Sequence, residues 1–130
     1  MSELNNLENE ILAAVMEFAR DGENHSEQVA RITVADRKFS SVDSEGNCSG
    51  FYARLSDNSL LGEVGADISK QYCVQAKSPV LQSGEMGFYV FCDPVRKSVD
   101  LIEGFFYGDE RLSIDEITKP NHSFKIYDVD

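Results

Sequence analysis

The sequence has few of the residues that most enzymes use for chemistry. It holds two histidines, His25 and His122, and three cysteines, Cys48, Cys73 and Cys92. No two cysteines form a C-x-x-C pair, and both histidines stand in polar, turn-like surroundings, so no zinc site of ordinary spacing is present. An odd number of cysteines cannot pair off within one chain, which reads as reduced thiols in a cytosolic compartment. The glycines Gly62, Gly65, Gly84 and Gly87 make neither a G-x-G-x-x-G after a strand nor a G-K-[ST] loop, so a phosphate cradle is missing. No G-x-S-x-G elbow presents a nucleophilic serine. No apolar run approaches the ~18 residues of a membrane span, and the polar start Met1–Asn6 is unlike a secretory leader. The expectations are a soluble cytoplasmic protein, not an enzyme, with no catalytic residues, no metal and no cofactor.

Positive charge is also scarce. Twelve Lys and Arg face 23 Asp and Glu, a net charge of −11. Nucleic acid and anionic membrane surfaces are polyanions, so neither is an expected partner. The same excess favours fast association with a cationic protein. It fixes neither the partner nor the oligomeric state.

What is present suits one domain spanning 1–130. Leu4, Leu7, Ile11, Val15 and Phe18 recur at steps of three and four, predicting a helix over 4–21 with Ser2 as N-cap and Gly22 beyond its end. Val29–Val34 is rich in β-branched residues and reads as a strand. Residues 40–50 are dense in turn formers. Phe51–Ser56 alternates like a strand. Leu60–Ser69 places Val64, Ala66 and Ile68 at period two, a half-exposed strand with Glu63 and Asp67 on its polar face. Residues 70–79 are ambiguous. Gly87–Cys92 is apolar on both faces, as in a central strand, and Ser98–Tyr107 follows across a short hairpin turn. Ser113–Ile117 has the spacing of a capped helical turn, and Phe124–Val129 reads as a last strand, at an edge. Consecutive strands on short links favour antiparallel pairing. The fold class is α+β, an N-terminal helix packed on a curved antiparallel sheet or partly open barrel of about six strands.

Glu103 stands out among the carboxylates, because it interrupts the run Leu101-Ile102-Glu103-Gly104-Phe105-Phe106. An unpaired buried charge is costly, so it lies on a solvent face, in a buried pair, or at a functional site. Asp109 and Glu110 follow in the next turn beside Tyr107. Phe88, Phe91, Phe105 and Phe106 read as core, whereas Tyr52, Tyr107 and Tyr127 are suited to hold polar tips at a surface. Glu63, Asp67, Glu103, Tyr107, Asp109 and Glu110 are therefore the candidate partner-binding residues.

The segments Gly50-Phe51-Tyr52, Gly87-Phe88-Tyr89-Val90-Phe91 and Leu101 to Glu110 resemble, in this order, a small family of uncharacterised bacterial proteins with a Leu-Glu-Gly-aromatic-x-Tyr-Gly segment. In this chain Ile102 separates Leu101 from Glu103, and Arg111-Leu112 stands where the family has Pro-Trp. That resemblance implies no activity. In size, acidity and cytosolic character the chain is also similar to the immunity proteins of bacterial toxin–immunity pairs. That likeness of type implies a cognate protein partner, a cationic toxin domain such as a basic nuclease, whose active site the protein blocks. Two other readings are an acidic secretion chaperone, and an enzyme using Glu103 as acid or base.

Overall fold

The first helix is set by a reciprocal cap. In the computed structural model, which describes residues 2–19, 25–65, 71–77, 85–106, 112–113 and 123–129, α1 spans Asn6–Ala19. Asn5 Oδ1 accepts the Glu8 N–H at 2.8 Å, and the Asn5 N–H donates to Glu8 Oε1 at 2.8 Å. This is a capping box, so the cap is Asn5 and not Ser2. Ser2 instead belongs to a stub, β1 (Ser2–Glu3). The expected helix end near Arg20 and Gly22 lies outside the described residues. The buried stripe is two i,i+4 rows, Leu7–Ile11–Val15 and Glu8–Leu12–Met16. Phe18, expected in that stripe, is exposed.

Two expected strands begin as helix. α2 (Ser26–Ala30) takes Val29 and Ala30, the first two residues of the segment read as strand, and β2 begins only at Thr33, running to Ser40. Val29 and Ile32 are both buried. Three residues apart, they share a side in a helical turn but not on a strand, and this packing outweighs their β-branched propensity. α3 (Leu60–Val64) replaces the period-two strand. Its two leading leucines, adjacent in sequence, are both buried, which a half-exposed strand does not allow. Gly65 ends the helix at φ 70°, the left-handed cap that glycine adopts without strain. Residues 66–70, including Asp67, lie outside the described residues.

The remaining elements are β3 (Asn47–Cys48), β4 (Gly50–Leu55), β5 (Gln71–Lys77), β6 (Glu85–Asp93), β7 (Ser98–Phe106), β8 (Leu112–Ser113) and β9 (Ser123–Val129). The main sheet has the order β1-β2-β4-β7-β6-β5-β9, every pairing antiparallel. Among the described residues it is an open sheet of six full strands plus the stub, with β1 and β9 at opposite edges and no closure into a barrel. β3 and β8 form a separate two-stranded pair. Ser113 therefore sits in a strand bridge, and residues 114–117 lie outside the described residues. Bulges between Val34 and Asp36 and between Phe91 and Cys92 bend the sheet locally. Among the described residues no helix is long and apolar enough to cross a membrane.

The three described helices all pack on one face of the sheet, and among the described residues no helix covers the other. Leu7, Leu12, Val29 and Leu60 join Phe51, Ala53, Val74, Phe88 and Ile102 in a single buried cluster. Across this inner face Phe51, Gly104 and Phe88 are register neighbours. A Cβ on Gly104 would lie 2.6 Å from the Phe51 ring and 2.9 Å from the Phe88 ring. Only glycine lets the two rings meet over β7, at 6.0 Å between centroids.

Polar ties fix the helices to the sheet. Fully buried Glu8 takes the Arg37 Nε of β2 at 2.7 Å, and Arg37 Nη2 also donates to the Glu3 carbonyl at 3.1 Å. The fork-on-carboxylate geometry satisfies a charge that would otherwise be costly to bury. Asn58 joins β4, α3 and β7: its Nδ2 donates to the Ser56 and Val99 carbonyls, each at 2.8 Å, and its Oδ1 accepts the Leu60 and Val99 N–H groups at 3.2 and 3.1 Å. The Lys97 carbonyl, in the β6–β7 turn, accepts the Leu61 N–H at 3.0 Å.

Candidate functional site: the helix-free face of the sheet

Strand alternation sends every second residue of β2, β4, β7 and β6 to the face opposite the helices. The register then lines them up in transverse rows. One row runs Lys38–Tyr52–Glu103–Tyr89–Cys73. A second runs Ser40–Gly50–Phe105–Gly87–Gln75, and a third Asp36–Arg54–Leu101–Phe91. Tyr52, Tyr89, Phe91, Leu101 and Phe105 are all half-buried, while Glu103, Arg54 and Lys38 are exposed. A solvated antiparallel face ordinarily alternates to polar residues. This one keeps polar residues toward β2 and β5 but gathers Tyr52, Tyr89, Phe91, Leu101 and Phe105 on β4, β7 and β6.

The rings support one another. Tyr89 lies 5.5 Å from Phe105 and 6.2 Å from Phe91, centroid to centroid. Phe91 and Phe105 are thus on the helix-free face, contrary to the expectation that both fill the core. Phe88 is core as expected, and the side chain of Phe106 lies outside what the structure describes. Next to these rings, over β2, β4 and β7, is an open groove of about 600 Å3. Tyr52, Phe105 and Leu101 supply its apolar walls, and Asp36, Glu103 and Arg54 its charges. Gly50 lines it as bare backbone, and a Cβ there would lie 2.4 Å from the Gly104 carbonyl oxygen. The Tyr52 hydroxyl donates to Asp36 Oδ2 at 3.3 Å, which holds that ring toward β2.

Of the expected site residues only Glu63 and Glu103 are described, and they stand on different elements. Glu103 is exposed on this face, the first of the placements foreseen for it. Glu63 is exposed too, but on α3 beside the β6–β7 turn, not on a polar strand face shared with Asp67. Asp67, Tyr107, Asp109 and Glu110 lie outside the described residues. Tyr52 does reach the surface, beside Glu103. Tyr127 is the register partner of Cys73, and its side chain is outside the described residues. Sequence reasoning missed Asp36, Arg54, Tyr89 and Leu101 as neighbours of Glu103. One signal was available: β6 is apolar on both faces, although among the described residues helices cover only one of them.

Cys92 packs against the inner core, and burial, with a smaller contribution from Asp100, pushes its thiol up to about 12. It is therefore a poor nucleophile and metal ligand at neutral pH. Among the described residues no group of three His, Cys, Asp or Glu side chains is placed to hold a metal ion. Among the described residues the arrangement is that of an α+β domain whose helices cover one sheet face, the other carrying an aromatic cluster and a groove lined by Asp36, Glu103 and Arg54. Compared with family models, curated proteins and solved structures, the chain matches none.

Proposed function

We propose that this protein is an immunity-type inhibitor, which binds a cationic toxin domain through the helix-free face of its sheet and blocks that domain's active site. The observation that carries the reading is the aromatic surface made by Tyr52, Tyr89, Phe91 and Phe105 on the side of the sheet that the helices leave open. Clusters of half-exposed aromatic residues are the usual anchors of protein interfaces, and contiguous apolar patches of this kind mark interaction sites. The net charge of −11 suits a basic partner and would steer the encounter. The test is co-expression and pull-down with the product of the adjacent upstream gene, together with a growth assay. The expected result is a toxic neighbour that is bound and neutralised, with Phe105→Asp abolishing both effects. A neighbour that is neither toxic nor bound sinks the reading.

The same open apolar face also favours a secretion chaperone, which would hold a partly unfolded effector against it. That reading requires a stable homodimer. Sedimentation equilibrium separates the two, since a monomer removes the chaperone.

A further inference from the structure

We infer that the groove beside Glu103 receives an arginine side chain of the protein partner, with its guanidinium paired to the Glu103 carboxylate and stacked on the Tyr52 ring. This rests on the helix-free face being the partner-binding surface, and it adds which chemistry the groove selects. The groove brings two carboxylates against one guanidinium, Asp36 and Glu103 against Arg54. Asp36 is already engaged. It accepts the Tyr52 hydroxyl at 3.3 Å and faces Arg54 directly across the β2–β4 ladder. Arg54 in turn faces Leu101, one row away from Glu103. Among the described residues no hydrogen bond or ion pair engages the Glu103 carboxylate. The groove thus keeps one acceptor unused, beside the Tyr52 ring and on a face that also carries exposed Arg54 and Lys38.

Three features select the ligand. The unused carboxylate and the overall negative charge disfavour an anion. Aromatic walls favour a cation that is weakly hydrated and planar, and guanidinium stacks on rings and presents a fork to a carboxylate. A lysine ammonium is a compact, strongly hydrated point charge and gains less from the same walls. Gly50, which lines the groove beside the Tyr52–Glu103 row, carries no side chain to fill it. The Tyr52–Asp36 hydrogen bond holds the Tyr52 ring in place before any ligand arrives.

The experiment is an amide-resolved NMR titration of the full chain with N-acetyl-arginine methylamide, run in parallel with the lysine analogue. Saturable shifts at Tyr52, Leu101, Glu103 and Phe105 are expected by about 50 mM, weak as befits a single side chain. The arginine probe should bind at least about threefold more tightly than the lysine probe. Glu103→Gln should weaken it about fivefold, whereas Glu45→Gln, in the exposed turn before β3, should leave it unchanged. Absence of saturation, equal binding of the two probes, or an unchanged Glu103→Gln titration would each overturn the inference. No toxin is needed for this test. If the probe binds and the neighbouring gene product does not, the groove stands and the immunity reading falls. If the neighbour binds with the same affinity to Glu103→Gln, the reading stands and the arginine assignment falls.

Discussion

Glu8 is a carboxylate with no exposed surface, and its charge is tolerated only because Arg37 and the Asn5 N–H meet it. Its hydrogen bond and charge also raise the Arg37 guanidinium above its ordinary value. Removing Arg37 strands the carboxylate, so Arg37→Met should cost about 3 kcal/mol in a urea titration. Adding Glu8→Gln should return part of that loss, because an uncharged amide is cheaper to bury. A double variant no more stable than Arg37→Met would show that the pair is not coupled. Cys92 offers a second test through pH. Burial favours its neutral thiol, with a folded value of about 12 against an ordinary 9.0. Between those values the native state holds a proton that the unfolded state has released. This contribution to stability is whole below about pH 9 and falls as pH rises toward about 12. The alkaline loss of stability should therefore be steeper in the wild type than in Cys92→Ala, measured by urea titration across that range. Parallel curves would place the thiol in a more solvated position.

Gly104 shows how one missing side chain shapes an element. It lies on the inner face of β7, and the Phe51 and Phe88 rings close over it. Gly104→Ala forces those rings apart and should cost about 2 kcal/mol by urea titration. Phe51→Leu in the same chain should relieve part of the strain, and a cost below about 0.5 kcal/mol would mean that the rings move freely. Elements with one strong periodicity were legible in the sequence: α1 from its three-and-four spacing, and β4, β6, β7 and β9 from alternation or apolar runs. α3 was not, because Val64, Ala66 and Ile68 imitate a strand. The contrary signs were the adjacent pair Leu60–Leu61 and the glycine five residues after Leu60. α2 was hidden because Ser26, Glu27 and Gln28 carry no periodic apolar signal and its last two residues, Val29 and Ala30, open a β-branched stretch that reads as strand. The Asn5–Glu8 capping box was present in the sequence, but Ser2 competed with it. Glu103 was found as the one charge in an apolar run. Its neighbours were not, because which tyrosine stands beside it depends on the β4–β7 and β6–β7 registers, and register is set by long-range packing.

At the scale of the whole molecule, acidity and the open face would act on different stages of binding. A charge of −11 acts at long range and is screened by salt. The half-buried rings act only at contact. For the basic toxin partner proposed above, the association rate should fall at least about tenfold between low salt and about 0.5 M salt, with a much smaller change in dissociation. Phe105→Ala should do the reverse, raising the dissociation rate about tenfold or more and leaving association nearly unchanged. Glu103→Gln removes one charge among many, so its effect should also fall on dissociation. Its association rate should stay within about twofold of the wild type, because steering depends on the summed field rather than one residue. Stopped-flow mixing at a series of salt concentrations separates the two contributions. A salt-independent association rate would assign the acidity to solubility alone. A Phe105→Ala variant with unchanged dissociation would move the interface off this face of the sheet, toward the exposed Glu63 surface of α3 or another part of the chain.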